Sequence, residues 1–267
     1  IATAKVAFFY RENPYLVMTI EIPNEPMLAF LHASNKVALY GPVWILLTGL
    51  PHYLGFGNIL MSIFTFKALV IVFYILLARL IWRISENAFA VTFFALNPLV
   101  IMETLLGGHN DVVMMYLALL SFSLLQKKKL FWSLVVLASS IFIKGATVVL
   151  IPVFIWVMLK GFQGKKIVWS TVWLWAAVSM YVIFFLSPIR EEIYAWYLIW
   201  PLTFVALIPG MPLLRYLTIG FSFGLLFRIA PFLYTRQWSG VTPMVKKLVT
   251  FVPPVLLAIY YEIRKNI

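Results

Sequence analysis

Long apolar runs, each closed by a few polar residues, dominate the chain. They cover residues 58–82, 88–106, 111–126, 130–144, 146–159, 167–187, 195–212, 213–232 and 243–262. A helix rises about 1.5 Å per residue and bilayer hydrocarbon is about 30 Å thick, so apolar runs approaching 20 residues read as membrane spans. In lipid every backbone N–H and C=O must be bonded internally, which a helix does within its own segment. The pattern therefore predicts an all-α fold, a polytopic transmembrane helical bundle of about nine crossings.

The stretch before the first long run has a different character. Asn13-Pro14, Pro23-Asn24, Pro26 and Asn35 interrupt any helix, which predicts a loop with short helical pieces. Gly41 to Leu54 opens on Gly41-Pro42 and is interrupted at Pro51. As a helix it would reach only about 21 Å, so it is expected to be interfacial or re-entrant. The expected organisation is residues 1–57 as an outer loop carrying that helix, and residues 58–267 as a single transmembrane bundle. The chain opens on Ile1 with no signal-peptide pattern, and it is expected to be a fragment that lacks its true N-terminus.

Composition agrees on the solvent: 63% of residues are hydrophobic and 11% charged, against about 45–50% and about 25% in soluble domains. With no Cys, disulfides, thiolate metal sites and Cys nucleophiles are excluded. The net charge of +12 is scattered between apolar runs, so nucleic acid is not an expected partner and the cations act on topology. Lys127-Lys128-Lys129 and Lys160, Lys165 and Lys166 share the cytoplasmic side if residues 130–159 form a short hairpin with Lys144 at its apex. Glu103, Asp111, Glu191 and Glu192 then share the opposite side. Snorkelling is the expected behaviour of Arg228 and of Lys246-Lys247.

Ionisable groups inside lipid cost about 2.5–3.5 kcal/mol each on insertion scales, so they mark candidate chemistry. One segment concentrates them: Asn97-Pro98, Glu103, then Gly107-Gly108-His109-Asn110-Asp111. Helix capping by Asn110 or Asp111 explains part of it, but neither Glu103 nor His109. Their spacing is not that of a specific metal site, so no metal ligands are assigned and a divalent cation is left open. A second segment runs from Ser187-Pro188 through Arg190 into Trp196, Tyr197 and Trp200. Such rings either anchor at the interface or pack on a sugar, and Arg190 can take a phosphate in two-pronged fashion. Lys144, buried at its apex, is a further candidate for a lipid phosphate.

Asn13-Pro14-Tyr15, Tyr40-Gly41-Pro42-Val43-Trp44, the run NPLVIMETLLGGHND ending at Asp111, and AWYLIWP ending at Pro201 resemble the membrane-embedded GT-C glycosyltransferases. More closely, they resemble the bacterial and archaeal polyprenyl-phosphomannose-dependent mannosyltransferases. The resemblance implies a GT-C-like bundle in a prokaryotic plasma membrane with an extracytoplasmic active site. It implies a polyprenyl-phosphate sugar donor, mannose as the hexose, a glycan or lipid acceptor, and an inverting single displacement. His109, Asn110 and Asp111 match the second-loop motif, Glu103 an acid on the preceding helix, and Trp196 and Tyr197 the aromatic segment. The resemblance also implies a first span followed by a general-base carboxylate, and both are expected upstream of Ile1, because Glu12 is wrongly placed. The catalytic expectation is thus Asp111, His109 and Glu103. Asn110, Lys144, Arg190, Trp196 and Tyr197 are expected to bind substrate, Lys144 and Arg190 on the charge argument alone. The rivals are a transporter or flippase of polyprenyl-linked sugars and a ligase using a lipid diphosphate donor.

Overall fold

The computed structural model describes residues 1–31, 33–190 and 192–265, with the side chain of Arg190 outside that description. Among the described residues there are helices and turns and no strand. In chain order the helices are α1 (Ala2–Phe8), α2 (Pro42–Leu54), α3 (Ile59–Ser85), α4 (Ala88–Ala95), α5 (Pro98–Val100), α6 (Asp111–Gln126) and α7 (Leu130–Ile141). They continue with α8 (Ile151–Phe162), α9 (Trp169–Arg190), α10 (Ile199–Val205), α11 (Pro212–Leu226), α12 (Ala230–Thr235) and α13 (Thr242–Lys265). A π-helical turn, Ile101–Leu106, extends α5, and the short 3-10 turns Gly145–Leu150 and Ala195–Leu198 lead into α8 and α10.

Among the described residues, five stretches are long and apolar enough to cross a bilayer: Ile59–Ser85, Gly145–Phe162, Trp169–Ile189, Pro212–Thr235 and Thr242–Lys265. A sixth results if α4 and Pro98–Leu106, bent by 50° at their junction, are one span. The other expected spans are the shorter apolar helices Asp111–Gln126, Leu130–Ile141 and Ala195–Val205. Little of α3 is buried, and Leu60, Phe64, Val72 and Ile75 point outward, an apolar surface that only lipid solvates without cost. The chain is an all-α, multi-span membrane helical bundle.

Two breaks expected from proline are absent. Helix α2 runs through Pro51 to Leu54. Helix α9 runs through Pro188 to Arg190, where the sequence predicts a loop from Ser187. Pro188 has no N–H to give the carbonyl one turn back; the Ser187 hydroxyl donates to that Phe184 carbonyl at 2.7 Å instead.

The chain divides into two packing units, residues 1–76 with 112–148, and residues 77–111 with 149–267. In the first, α1 lies on α2, where the Phe8 ring fills the space that a side chain at Gly49 would need. The Gly41 and Val43 amides at the start of α2 donate to the Ile143 and Phe142 carbonyls just past α7, at 2.9 and 3.2 Å. Helices α6 and α7 run antiparallel: buried Ser133 donates to the Ser121 carbonyl at 2.6 Å and buried Ser140 to that of Met114 at 2.8 Å. These small side chains bring backbones close, the packing mode available when apolar burial drives nothing between lipid-solvated helices.

The second unit is organised by α11. Gly220-x-x-x-Gly224 lets α13 approach so closely that a Cβ would lie 2.3 Å from Pro254 Cα and 2.5 Å from the Val249 carbonyl oxygen. Pro253 and Pro254 leave the Val249 and Thr250 carbonyls without helical donors, and these face Gly224. Farther along, Tyr216 meets Tyr260 and Tyr261, so the two helices are antiparallel. Helix α9 runs with α11, since Tyr181 and Thr218 share a hydrogen bond of 2.5 Å and Phe184 and Phe185 pack on Phe221. So does the α4–α5 segment: Arg215 lies over the Phe89 ring, and buried Asn97 donates to Ser222 at 2.9 Å. One end of this unit therefore gathers the stretch after Leu106, the loop after α9, the end of α11 and the start of α13.

Candidate active site

At that end the chain leaves α5 through a wide turn. Asn97 accepts from the Leu99 amide at 3.0 Å, and Pro98 tolerates the first helical position because its missing N–H is an orphan there. Beyond it the helix widens: the Gly107 amide reaches back to the Met102 carbonyl at 2.8 Å and the His109 amide to that of Glu103 at 3.1 Å. Single π-turns of this kind recur where a helix must re-aim a side chain. Gly108 adopts φ +73°, a left-handed backbone that glycine enters without steric cost. At Gly107 a Cβ would sit 2.8 Å from the Glu103 carbonyl oxygen and 2.9 Å from His109 Cδ2. The missing side chain lets the imidazole fold back over the helix end.

His109 Nε2 consequently lies 3.2 Å from Glu103 Oε2, with both side chains partly exposed at 25% and 19%. The Trp196 ring stacks on the imidazole at 3.9 Å and 17°. Tyr194 is stacked with Trp196 at 4.5 Å and 8°, and Tyr197 with Trp200 at 4.3 Å. The half-buried rings of the loop before α10 thus form a continuous aromatic surface beside an acid and an imidazole.

Asp111 lies deeper. It is wholly buried at the start of α6 and accepts from the Trp200 indole at 2.6 Å. Adjacent Asn110 is 3% exposed, and its Nδ2 is buried with no hydrogen-bond partner among the described residues. A buried amide donor left unbonded costs about 1–3 kcal/mol, which a bound hydroxyl oxygen would offset.

The structure therefore brings Glu103, His109, Asn110, Asp111, Trp196 and Tyr197 into one unit. Lys144 belongs to the other unit, half-buried in the turn between α7 and Gly145–Leu150. Arg190 closes α9, and its side chain lies outside the described residues. Among the described residues no three His, Asp or Glu side chains converge as ligands for a metal.

Arg228 and Lys246 do not snorkel as expected, whereas Lys247 is exposed. Arg228 Nη2 lies 2.9 Å from Glu192 Oε2, and Lys246 Nζ lies 3.2 and 3.1 Å from the two Glu192 oxygens. Burial pushes the Glu192 carboxyl up, but the hydrogen bonds and charges of Arg228 and Lys246 outweigh it, and the group sits below the ordinary carboxylate value. The reason is local: the Glu192 carboxylate lies within hydrogen-bond reach of both cations. Glu192 needing a partner, in a chain with nine acids, is the signal the sequence held.

Residues 11–160 match the family described as Alpha-(1->6)-mannopyranosyltransferase, N-terminal domain, the MptA/B family. No curated protein and no solved structure matches the chain.

Proposed function

This chain belongs to the α-(1→6)-mannopyranosyltransferase family, and on that premise we propose that it moves a mannosyl residue from a polyprenyl-phosphate donor to a glycan or lipid hydroxyl. It is a membrane-embedded glycosyltransferase by family and by its apolar helices. In this reading it crosses a prokaryotic plasma membrane about nine times in a GT-C-like arrangement, the shorter helices crossing at a tilt or in locally thinned bilayer. The end bearing Glu103 and His109 then faces outward, because Arg79, Arg83, Arg264 and Lys265 at the opposite end keep the positive side in the cytoplasm.

The observation that carries the reading is the His109 ring, held between Glu103 at 3.2 Å and Trp196 at 3.9 Å. An acid paired with an imidazole beside aromatic faces suits a sugar: rings meet the apolar face of the pyranose, while Glu103, His109 and the free Asn110 amide meet hydroxyls. The reaction is a single displacement. The acceptor oxygen bonds to the anomeric carbon, the bond to the phosphate oxygen breaks, and polyprenyl phosphate leaves with the electron pair. The acceptor proton passes to a carboxylate, a role that general-base geometry allows to a partly exposed acid such as Glu103. Asp111 acts from below, fixing the aromatic loop through Trp200.

The test is the full-length protein in vesicles with labelled polyprenyl-phosphomannose and an oligomannoside. A new mannoside should form, and His109→Ala should lower its rate about tenfold or more. Movement of the labelled lipid across the bilayer with no glycoside formed would make the protein a transporter instead.

A further inference from the structure

The Glu192, Arg228 and Lys246 cluster lies outside the set of residues assigned above to the sugar. Among the described residues it sets two cations against one carboxylate, with the Arg228 and Lys246 side chains 14% and 11% exposed and that of Glu192 41% exposed. Surplus positive charge withdrawn from water is costly unless an anion meets it. Both cations are also held by groups other than the acid. Arg228 Nη1 donates to buried Thr250 at 2.9 Å, and Thr250 in turn donates to the Lys246 carbonyl at 2.8 Å. The Lys246 ammonium lies 4.9 Å from the Trp238 ring centre, and that ring is itself stacked on Phe232 at 3.7 Å. The exposed member of the cluster is thus the acid, and the fixed, shielded members are the cations.

We propose that Arg228 and Lys246 form a phosphate-binding subsite, with Glu192 as the internal carboxylate that competes with the phosphate for both cations. Arg and Lys donors that converge on two carboxylate oxygens present the same geometry to two phosphate oxygens. Of the three side chains, that of Glu192 is the one water reaches most, so an exchanging anion would take the place of its carboxylate. Glu192 stands four residues before Trp196 in one loop, which places the two Cα atoms within about 14 Å. The cluster and the His109–Trp196 stack thus belong to one end of the unit, and the occupant this reading assigns is a lipid phosphate whose sugar meets those rings. That identification of the occupant rests on the transferase reading; the anion site does not.

The experiment measures binding of polyprenyl phosphate, carrying no sugar, to the full-length protein in neutral-lipid nanodiscs by tryptophan fluorescence, with inorganic phosphate and phosphatidylglycerol as parallel ligands. Lys246→Gln should raise the Kd for polyprenyl phosphate about tenfold. Glu192→Gln should lower it about threefold or more, since the competing acid is gone, with the thermal unfolding midpoint kept within a few degrees. The same variant dependence for inorganic phosphate alone supports the anion site and places its ligand in water; for phosphatidylglycerol it places the ligand among ordinary lipids. Kd values that neither variant changes for any of the three ligands overturn the proposal and leave a structural ion cluster. No acceptor or sugar is present, so that failure leaves sugar transfer untouched, and a failure of transfer leaves this site standing.

Discussion

The Trp200 indole donates to Oδ1 of Asp111 at 2.6 Å, with both side chains buried. This bond ties the first residue of α6 to the first turn of α10, just beyond the Trp196 ring that stacks on His109. Leaving one partner of a buried hydrogen bond unsatisfied costs about 1–3 kcal/mol. Trp200→Phe keeps an aromatic ring and removes the donor, so it should lower stability by about that amount in thermal unfolding in detergent. An unchanged midpoint would show that the bond holds nothing.

Asp111→Asn retains the shape of the side chain and an acceptor oxygen. An amide oxygen accepts from the Trp200 indole more weakly than a carboxyl oxygen does, so the aromatic segment is held less firmly and mannosyl transfer should fall about tenfold, with the unfolding midpoint near that of the parent. Transfer equal to the parent would reduce Asp111 to its place at the start of α6.

Gly107→Ala puts a methyl group where the Glu103 carbonyl oxygen lies 2.8 Å away. Backbone cannot yield as a side-chain tip does, so the turn must shift and His109 must swing off Glu103. The expected result is loss of transfer of about tenfold or more, read in the vesicle assay, from a protein that still inserts and folds.

Gly220→Leu tests the close approach of α11 and α13. Overpacking costs about 1–3 kcal/mol or more when backbone is the obstacle, and here a Cβ would already lie 2.3 Å from Pro254 Cα. The unfolding midpoint should fall, and the same substitution at lipid-facing Ile219 should leave it unchanged.

Glu25 gives a pH prediction away from the membrane spans. Its side chain is fully buried; Lys5 donates to it at 2.8 Å, Tyr10 through its hydroxyl and the Met27 amide at 2.9 Å. Burial raises its pKa, but these partners outweigh the effect and hold the group below 4.5. A lowered folded pKa means that the stability it contributes is complete above the unfolded value and disappears as pH falls through the folded one. The difference in unfolding midpoint between the parent and Glu25→Gln should be constant above pH 4.5 and should vanish on further acidification. The same partnership pushes Tyr10 up to about 12 from 10, so a second loss should begin as pH rises beyond 10. A flat difference across the acid range would show that the cluster adds no stability.

The candidate site was partly legible. Glu103, His109, Asn110 and Asp111 stand out because ionisable and amide groups are expensive beside lipid, and Gly107-Gly108 stands out because two glycines end a helix. That Trp196 would stack on His109 was not legible, since 86 positions separate neither their chemistry nor their pairing from those of Tyr197 or Trp200. The cluster at Arg228 and Lys246 was hidden for the same reason: each cation read alone can snorkel, and only the position of Glu192 decides otherwise.

Hydrophobic periodicity and length determined by themselves that this chain is helical and lives in a bilayer, because the cost of an unbonded backbone in lipid leaves few alternatives. They also placed most helix ends, which are local matters of proline, glycine and charge. Which helices approach, which acid meets which cation, and that Asp111 is sealed beneath Trp200 came only from tertiary structure. Between helices solvated by lipid the pairing depends on fit at a few small residues and on single polar bonds, and such contacts have no period for a sequence to display.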